Sequence, residues 1–581
     1  MATPPETPSL LRPSLASVPE DLTGVAGSRR IGRMSAETAG LPTFHSWVGG
    51  REVEGRAGAR PAVNPGTGQA FARASLLDAT QAADAVGAAA AAFPAWSRTS
   101  FRERAGILDR LRQAIVDEAD DVGRLIEREQ GKPFAEATGV EILSSLAALR
   151  HLSQHAEDLL RDDAIEAQQI LLAHKQARLV YEPIGVVLVI KPWNYPWAQA
   201  VPVVASALVA GNTVVLKPAP ATTLVGLRLG ALARTAGFPD GVLNVVAVDD
   251  AVAASLVEDP RVGKIVFTGS VPTGRKVMAA AAKNLTPVVL ELGGKDPAIV
   301  CRDADLDRAA KGIVFGAFLN AGQTCAAVER VYVEKPVADA FLAKVVDETR
   351  RVRLAEGTPG DMGPLTLERQ RRIVEEHVAD AVAKGARVLV GGRKPEGPGL
   401  FYPPTVLVDV DHTMTVMREE TFGPVLPVMA VESLDEAIRL ANDSPYGLTA
   451  SGWTRSEETA RRLQRELRTG IVSINDHASS YGEPTAPWGG VKASGIGRIH
   501  GLLGLREMVQ PKYVNLDRGR GPELWWYPYD DLAPLVSQAV PALYSTSFRR
   551  RVSAQLGLLR FARLWRRFGP WRLLANLDKL F

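Results

Sequence analysis

The chain has 581 residues, of which 46% are hydrophobic and 23% are charged, and its formal net charge is +3. This composition is typical of globular proteins and excludes a fibrous repeat or an acidic disordered chain. Single hydrophobic cores stop growing near about 250 to 300 residues, so we expect two or more domains. A net charge this small also argues against nucleic-acid binding across the whole surface.

Cysteine is rare, because only Cys301 and Cys325 occur. Two cysteines cannot make a disulfide framework, which is typical of a reducing compartment, and no Cys/His cluster has zinc-binding spacing. No stretch reaches the roughly 18 consecutive apolar residues of a spanning helix, and the start lacks a signal-peptide pattern. We therefore predict a cytoplasmic protein without a metal site.

The N-terminal part of the chain divides into two regions. Residues 1–42 are rich in proline and small polar residues, which predicts a flexible extension. From about 78 to 172, apolar residues recur at intervals of three and four, which predicts helices, with Gly131 at a C-cap.

An alternation of apolar β-rich runs and helical runs follows, which predicts a parallel, doubly wound sheet. The strand candidates are "GVVLVI" at 185, "TVVLK" at 213, "VLNVVAV" at 242, "KIVFTG" at 264 and "PVVLEL" at 287. A second α/β section, predicted from about 293 to 495, contains the strand candidates "ARVLVG", "PVLPVMAV" and "GIVSIN".

Ligands of open parallel sheets bind beyond the carboxyl ends of the strands, and four of these ends carry polar residues. Asn194 follows the first strand, Lys217 ends the second, the segment 268–270 ends the fourth, and Glu291 ends the fifth. Each has an ordinary explanation when taken alone. Asn194 suits a turn, Glu291 suits a solvated or helix-capping carboxylate, and "GSVPTG" at 269–274 suits either a βα turn or a phosphate-binding helix N-terminus.

The combination of motifs is more informative than any one of them. The following segments occur in order: "PWNYP", "LKP", "FTGS", "ELGGKDP", "NAGQTC", "EETFGPV", "NDSPYGLTA" and "PWGGVKASGIGR". They resemble the signature segments of the aldehyde dehydrogenase superfamily, and the resemblance covers roughly residues 45–515.

This resemblance implies a catalytic role for three residues. Cys325 matches the nucleophile that attacks the aldehyde carbonyl, and Glu291 is the candidate base, since a free thiol is only a few per cent ionised at pH 7. The side-chain amide of Asn194 and the backbone N–H of Cys325 would stabilise the oxyanion. The thioester left on Cys325 after hydride transfer would be hydrolysed by water that Glu291 deprotonates.

The resemblance also implies a site for NAD or NADP. Lys217 would contact the adenine ribose, Gly269 and Ser270 would lie by the pyrophosphate, and Glu420 with Phe422 would hold the nicotinamide ribose. We place Trp193 and Gly274 in the same cofactor site.

The chain departs from the family pattern at two positions. Many NAD-preferring members have a glutamate where this chain has Pro220, so use of NADP or of both cofactors is plausible. Many members also have an acidic residue where this chain has Ile499, so Glu291 would act alone or through another group.

The fold implied by the resemblance is α/β, with a doubly wound Rossmann-type cofactor domain, an α/β catalytic domain and a small β oligomerisation arm. Residues 43–165 and 185–291 would form the NAD(P)-binding domain and residues 292–507 the catalytic domain. Residues 166–184 and 508–516 would form the arm, which predicts a homodimer or homotetramer.

The C-terminal extension, 517–581, has no counterpart in the resemblance and ends in a basic segment. Its apolar face comprises Leu558, Phe561, Ala562, Trp565 and Phe568, and its basic face comprises Arg560, Arg563 and Arg567. A basic amphipathic helix of this kind suits peripheral contact with the inner face of a membrane, or packing on the protein's own core or its oligomeric partner.

The leading hypothesis is NAD(P)-dependent oxidation of an aldehyde to the carboxylic acid, possible substrates being medium- or long-chain apolar aldehydes. By family analogy, Tyr195, Trp197 and the segment 476–486 would line the substrate pocket. That segment has no arginine to clamp a second carboxylate, which disfavours a semialdehyde. The alternatives are a semialdehyde dehydrogenase, a coenzyme A-acylating relative and an inactive membrane-associated scaffold.

Overall fold

The computed structural model describes residues 40–167, 172, 175–356, 359–518, 526–527 and 540–559. The extension predicted at 1–42 lies outside these ranges apart from residues 40–42. The predicted amphipathic C-terminal helix lies outside them from residue 560 onward.

Strands and helices are numbered in chain order. The strands are β1 Thr43–Phe44, β2 Ser46–Val48, β3 Arg51–Val53, β4 Ala59–Val63, β5 Ala70–Ser75, β6 Asp163–Ile165, β7 Gln176–Pro183, β8 Val186–Ile190, β9 Thr213–Lys217, β10 Leu243–Val245, β11 Val262–Thr268, β12 Val288–Glu291, β13 Asp296–Val300, β14 Val328–Glu334, β15 Arg387–Val390, β16 Thr405–Val408, β17 Val425–Val431, β18 Thr449–Trp453, β19 Ile471–Ile474, β20 Gly495–Ile496 and β21 Val509–Leu516. The helices are α1 Ala79–Trp96, α2 Phe101–Asp117, α3 Ala119–Gln130, α4 Phe134–Glu136, α5 Leu143–Leu159, α6 Val201–Val209, α7 Thr223–Ala236, α8 Asp250–Val257, α9 Val271–Ala281, α10 Leu306–Phe318, α11 Lys335–Arg351, α12 Glu368–Ala383, α13 Thr415–Arg418, α14 Leu434–Asn442, α15 Glu457–Glu466, α16 Gly501–Arg506, α17 Val540–Leu543 and α18 Phe548–Leu559.

Local sequence signals start and stop the first helices. The Ser100 hydroxyl accepts from the Glu103 backbone N–H while the Glu103 carboxylate accepts from that of Ser100, so a capping box starts α2. Gly131, the predicted C-cap, ends α3 with a φ of 100°, a conformation that favours glycine. These boundaries can therefore be read from neighbouring residues alone.

The first sheet has the order β20-β12-β11-β8-β9-β10-β2-β3. Strands β12, β11, β8, β9 and β10 run parallel and are the five predicted from the sequence, which confirms the doubly wound sheet. Strand β20 adds to one edge in antiparallel orientation, with Gly495 paired to Glu291. A late segment that we assign by sequence to the catalytic domain, 292–507, thus returns to the cofactor sheet.

Both faces of this sheet are buried, as expected for parallel strands covered by helices. Side chains of β8 alternate between two hydrophobic clusters: Val187 and Val189 pack in one, and Leu188 and Ile190 in the other. This double burial explains why the strands appear in the sequence as continuous apolar runs.

The second sheet has the order β15-β16-β17-β14-β13-β18-β19 and a hydrophobic core of its own. The sequence analysis finds β15, β17 and β19 but misses β13, β14, β16 and β18. Strands β13 and β14 carry Asp296, Glu329 and Arg330, whose side chains are buried yet bonded to neighbouring elements. Such tertiary partners are invisible to an apolar-run criterion.

A separate three-stranded antiparallel sheet, β21-β7-β6, forms the arm. Strand β21 pairs with β7 along its whole length, from Val509 opposite Pro183 to Leu516 opposite Gln176. The helical pattern predicted up to 172 ends at Leu159, and β6 begins before the predicted arm boundary at 166. Backbone pairing of β6 with the next strand, β7, overrides the local helical pattern there.

The described part of the C-terminal extension contains α17 and α18, which pack against each other. Within the described residues, we find no helix whose length and apolar character would let it cross a bilayer.

Candidate active site

The parallel register of the first sheet gathers polar side chains at one edge. Thr268 of β11 lies opposite Glu291 of β12, and Phe267 lies opposite Ile190 of β8. Asn194 follows the end of β8 after a short turn, so its amide belongs to the same edge.

Cys325 follows a strained turn, Leu319–Gly322, in which Asn320, Ala321 and Gly322 all have positive φ. A Cβ at Gly322 would overlap the backbone carbonyl of Gly423, so only glycine fits there. The turn persists because Asn320 is tied down, its side chain donating to the Asn194 carbonyl at 2.9 Å and its backbone N–H to Glu136 at 3.0 Å. Strain held by surrounding bonds is typical of functional sites.

Asn194 is fixed against the segment that carries the cysteine. Its buried side-chain amide donates to the carbonyl of Gln323 at 2.9 Å, two residues before Cys325. Its own carbonyl accepts from the Lys132 ammonium at 2.8 Å, and Lys132 pairs with Glu141 at 2.6 Å in full burial. A buried ion pair therefore holds the Asn194 main chain in position.

Glu291 is buried at the same edge. Among the described residues, neither of its carboxylate oxygens has a hydrogen-bond partner. Burial raises the pKa of Glu291 well above its usual value, while the charges of Lys191 and Arg498 lower it. A carboxylate with free oxygens and a raised pKa suits a general base.

The Cys325 thiol is a weak acid in this environment. Burial raises its pKa first, and the carboxylates of Asp296, Glu420 and Glu291 raise it further. The resting side chain is therefore a thiol. Cys301 also has a raised pKa, about 12, and is buried in the core of the second sheet, which suits a structural residue.

Glu420 and Phe422 lie on the loop that follows α13. Glu420 accepts from the Gly294 backbone N–H at 3.0 Å, and any side chain at Gly293 would overlap its carboxylate. The rings of Trp193 and Phe422 meet edge to face at 5.4 Å. Two glycines, one carboxylate and two aromatic rings therefore come together here, as a nucleotide ribose and its ring would require.

Glu329 fixes the conformation of this loop. Its carboxylate accepts from the backbone N–H groups of Thr421 and Phe422 at 2.8 Å each and pairs with the buried Lys295 at 2.6 Å. Phe422 adopts a φ of 51°, which is unusual for an aromatic residue and is maintained by these bonds.

The segment 269–274 leads from β11 into α9. Ser270 is the N-cap residue but provides no side-chain cap for the helix, so the first backbone N–H groups of α9 remain available to an anion. Gly274 packs so closely on Leu292 that a Cβ would lie 2.5 Å from its Cδ2. The segment therefore fits a pyrophosphate.

Lys217 lies further along the sheet edge, and its ammonium is 3.6 Å from Asp250. Burial lowers the pKa of Lys217, Asp250 raises it, and Arg60 lowers it. Arg60 lies on β4, which packs against the turn Pro220–Thr222. Two cations thus flank the position where many NAD-preferring relatives have a glutamate.

A cleft of about 900 Å³ opens beside the cysteine loop, between α5, α10 and the segment 475–482. His477, on its wall, donates from Nε2 to the carbonyl of Ala326 at 2.6 Å, next to Cys325. The hydroxyl of Tyr195, expected to line the substrate pocket, bonds to that of Thr324 at 2.8 Å. Trp197, also expected there, is buried in the first core.

Several residues of this region escape the sequence analysis. Lys132 and Glu141 lie in a helical region without a motif, and only their burial reveals them. Lys191 directly precedes Pro192 at the end of β8, so the strand-end criterion that found Asn194 could have found it. His500 lies two residues beyond the matched motif that ends at Arg498 and is buried near Lys191.

No group of three or more His, Cys, Asp or Glu residues suited to a metal ion occurs in the described part of the chain. His151 and His155, one helical turn apart on α5, have their ring centroids 5.0 Å apart and their ring planes tilted by 44°.

Comparison with known proteins decides the family. The model of the aldehyde dehydrogenase family matches residues 53–514. The chain belongs to the aldehyde dehydrogenase family. The resemblance recognised from the sequence motifs is thereby confirmed.

Individual members of the family are similar over most of their length. A succinate-semialdehyde dehydrogenase (NADP(+)) of Escherichia coli is 39% identical over 454 residues, which cover 78% of this chain and 93% of that protein. A 4,4'-diapolycopene aldehyde oxidase of a Methylomonas species is 40% identical over 439 residues, covering 75% and 81%. The crystal structure of an NAD-dependent aldehyde dehydrogenase from Sinorhizobium meliloti has a TM-score of 0.80 and 36% identity, covering 84% and 97%.

This aldehyde dehydrogenase is therefore an NAD(P)-dependent enzyme that oxidises an aldehyde. The family and fold class agree with the sequence analysis.

Proposed function

We propose that this aldehyde dehydrogenase oxidises its substrate through Cys325, with Glu291 as general base and Asn194 as an oxyanion donor. One observation carries the proposal. The hydrogen bond from the Asn194 amide to the Gln323 carbonyl ties the two loops together two residues from the thiol, on the edge to which Glu291 belongs.

The proposed first half-reaction forms a thioester. Cys325 loses its proton to Glu291 and attacks the aldehyde carbon, and the oxygen becomes an oxyanion held by the Asn194 amide and the Cys325 backbone N–H. One such donor stabilises the transition state by about 3 to 4 kcal/mol. The nicotinamide, when bound, supplies the acceptor for the hydride that leaves the substrate carbon.

The proposed second half-reaction releases the acid. Glu291 first releases to solvent the proton it took from the thiol. It then takes a proton from water, the resulting hydroxide attacks the thioester carbon, and the C–S bond breaks to give the acid and the Cys325 thiolate, which regains the proton held by Glu291. The unpartnered oxygens of Glu291 favour this hydrolytic route over acyl transfer to coenzyme A. An inactive scaffold would not need a buried base beside a strained cysteine loop.

We propose that the residues of the predicted cofactor site act together. Glu420, Phe422 and Trp193 would hold the nicotinamide ribose and ring, and Gly269, Ser270 and Gly274 would receive the pyrophosphate. Lys217 would contact the adenine ribose. The uncapped N-terminus of α9 and the tight contact at Gly274 support this assignment.

We propose that the substrate is a medium- or long-chain apolar aldehyde. Leu143 and Phe315, which line the cleft beside the cysteine loop, expose 61% and 53% of their surface, and such apolar exposure suits an alkyl chain. The cleft is also lined by two acidic residues, Asp305 and Asp307, and two basic residues, Arg308 and Lys311, so these charges cancel. Arg308 is already bonded to the Asn475 carbonyl, which leaves it poorly placed to clamp a carboxylate.

We propose that NADP is accepted through Arg60. Its guanidinium is half-buried near Lys217, has no hydrogen-bond partner within the described ranges, and would meet a 2′-phosphate on the adenine ribose. Pro220 removes the carboxylate that would repel this phosphate. Asp250, whose side chain is 92% exposed beside Lys217, carries a negative charge that weakens binding of the 2′-phosphate.

We propose a homodimer or homotetramer built through the arm, and membrane contact through the C-terminal extension. The arm exposes Ile165, Tyr513 and Leu516, and exposed apolar side chains of this kind suit a subunit interface. The extension exposes Trp526 and Leu556, and Arg549 to Arg551 begin α18, which suits an anionic membrane surface.

The first prediction concerns the two cysteines and the base. Cys325→Ser should abolish reduced-nicotinamide formation, whereas Cys301→Ala should leave kcat within about twofold because Cys301 is remote from the site. Glu291→Gln should lower steady-state turnover by about 100-fold or more, because the base acts in both half-reactions, as measured by reduced-nicotinamide absorbance. Equal loss in both cysteine variants, or acyl-coenzyme A as the product when coenzyme A is added, would contradict the assignment.

The second prediction concerns the cleft. Each added methylene of an n-alkanal should raise kcat/KM about fourfold, the equivalent of about 0.8 kcal/mol per buried CH₂, until the cleft is filled. Leu143→Asp should remove this gain while leaving short aldehydes unaffected. Leu285→Asp, at an apolar residue 88% exposed outside the cleft, is the matched control. A preference for ω-carboxy aldehydes of equal length would identify a semialdehyde dehydrogenase instead.

The third prediction concerns Arg60. Arg60→Ala should weaken NADPH binding by about 10- to 100-fold, the loss of one charge-assisted contact, and leave NADH within about twofold. Asp250→Asn should strengthen NADPH binding. Arg56→Ala is the control, since Arg56 pairs with Asp78 at 3.0 Å on the surface. Nicotinamide fluorescence titration measures binding of both cofactors to the wild type and the three variants, and equal weakening of both cofactors in Arg60→Ala would refute the proposal.

The fourth prediction separates the arm from the extension. Deleting residues 517–581 should abolish flotation with anionic liposomes and leave the number of subunits unchanged, because β21 remains. Flotation and multi-angle light scattering on the same samples measure both. Unchanged flotation would contradict membrane contact through the extension.

A further inference from the structure

A buried lysine stands directly behind the proposed base. Lys191 follows the last residue of β8, is 3% exposed, and donates from its ammonium to the Thr268 hydroxyl at 2.9 Å. A buried charge is costly unless it is compensated, so Lys191 requires a negative partner.

The sheet register identifies that partner. Thr268 lies opposite Glu291 on the adjacent parallel strand, and register partners project from the same face of a sheet. Lys191 shares this face, because it continues the alternation of Val187 and Val189. The ammonium is therefore bonded to a hydroxyl on the strand that lies between its own strand and that of Glu291, on the face from which the Glu291 carboxylate projects.

The electrostatics agree with this geometry. Burial lowers the pKa of Lys191 to about 7, and the only opposing influence is the charge of Glu291. Of the two cations that lower the pKa of Glu291, Lys191 acts more strongly than Arg498. The guanidinium of Arg498 is bonded to the carbonyls of Gly490 and Gly497.

The other groups around Glu291 cannot provide this positive charge. Burial lowers the pKa of His500 to about 3, so its ring is neutral, and it packs against Tyr481 at 4.8 Å. Ile499 is apolar, and both Cys325 and Tyr481 gain negative charge on ionisation. Gly489 lies so close that a Cβ would be 2.8 Å from Oε1 of Glu291, which leaves no room for a further side chain.

We propose that Lys191 is a positioning residue that keeps Glu291 ionised for the hydrolysis of the acyl-enzyme. The inference rests on the proposed role of Glu291 as the base. The proton taken from water resides on Glu291 while the C–O bond forms and the C–S bond breaks, and Lys191 takes no part in this proton transfer. This chain has Ile499 where many members of the family have an acidic residue, so no acidic side chain at that position assists Glu291.

The test measures deacylation alone. An activated aryl ester acylates Cys325 without cofactor, and the decay of the acyl-enzyme is then followed from pH 5 to pH 10. Loss of the ammonium raises the pKa of Glu291 further, so in Lys191→Met the ascending limb of the deacylation rate should move to higher pH by about 1 to 3 pH units. Lys191→Gln, equally neutral and of similar length, should show the same displacement.

Two variants control for indirect effects. Lys191→Arg keeps the charge and should keep the limb near its wild-type position. Lys264→Met removes another buried lysine of the same sheet, paired with Glu507 at 2.5 Å, and should leave the limb unchanged. A purely structural role for Lys191 would lower the rate equally at every pH, in Lys191→Arg as well.

The outcomes separate this inference from the proposed function. If Glu291→Gln deacylates slowly while both neutral Lys191 variants keep the wild-type limb, the inference is wrong and the role of Glu291 stands. If Glu291→Gln deacylates at the wild-type rate, the proposed base is itself wrong.

Discussion

The parallel register of β8, β11 and β12 is the constraint on which the rest of the site depends. Because the strand ends align, residues from positions 191, 268 and 291 project side by side from one face although a hundred residues separate the first from the last. Side chains at the end of a rigid, doubly buried sheet have little freedom to move apart. The chemistry of the site therefore begins with backbone pairing and with the two apolar cores that enforce it.

Buried ion pairs fix the loops that bring the remaining groups to this edge. Lys132 with Glu141 supports the main chain at Asn194, and Lys295 with Glu329 supports the loop that carries Glu420 and Phe422. Such pairs contribute little net stability because desolvation offsets the attraction. Their value here is geometric, since each pair has additional backbone groups bonded to it and so allows one loop conformation.

The same burial that shapes the site also sets its acid–base character. Desolvation raises the pKa values of Glu291 and Cys325 and lowers that of Lys191, because burial destabilises the charged form of each side chain. An ionised Glu291 is tolerated where a compensating ammonium is close. The balance between desolvation and the opposite charges of Lys191 and Arg498 decides whether the base is available near neutral pH.

The sequence by itself determined the family, the doubly wound sheet and most of the proposed site residues. Local signals sufficed for these, because capping boxes, continuous apolar strands and short motifs such as that ending at Cys325 are written in neighbouring residues. The tertiary structure alone decided the return of β20 to the cofactor sheet, the polar strands β13 and β14, and the pairing of β6 with β7. It alone also brought Lys191 beside Glu291 and Arg60 near Lys217, since contacts between distant segments depend on register and on burial, neither of which a local pattern encodes.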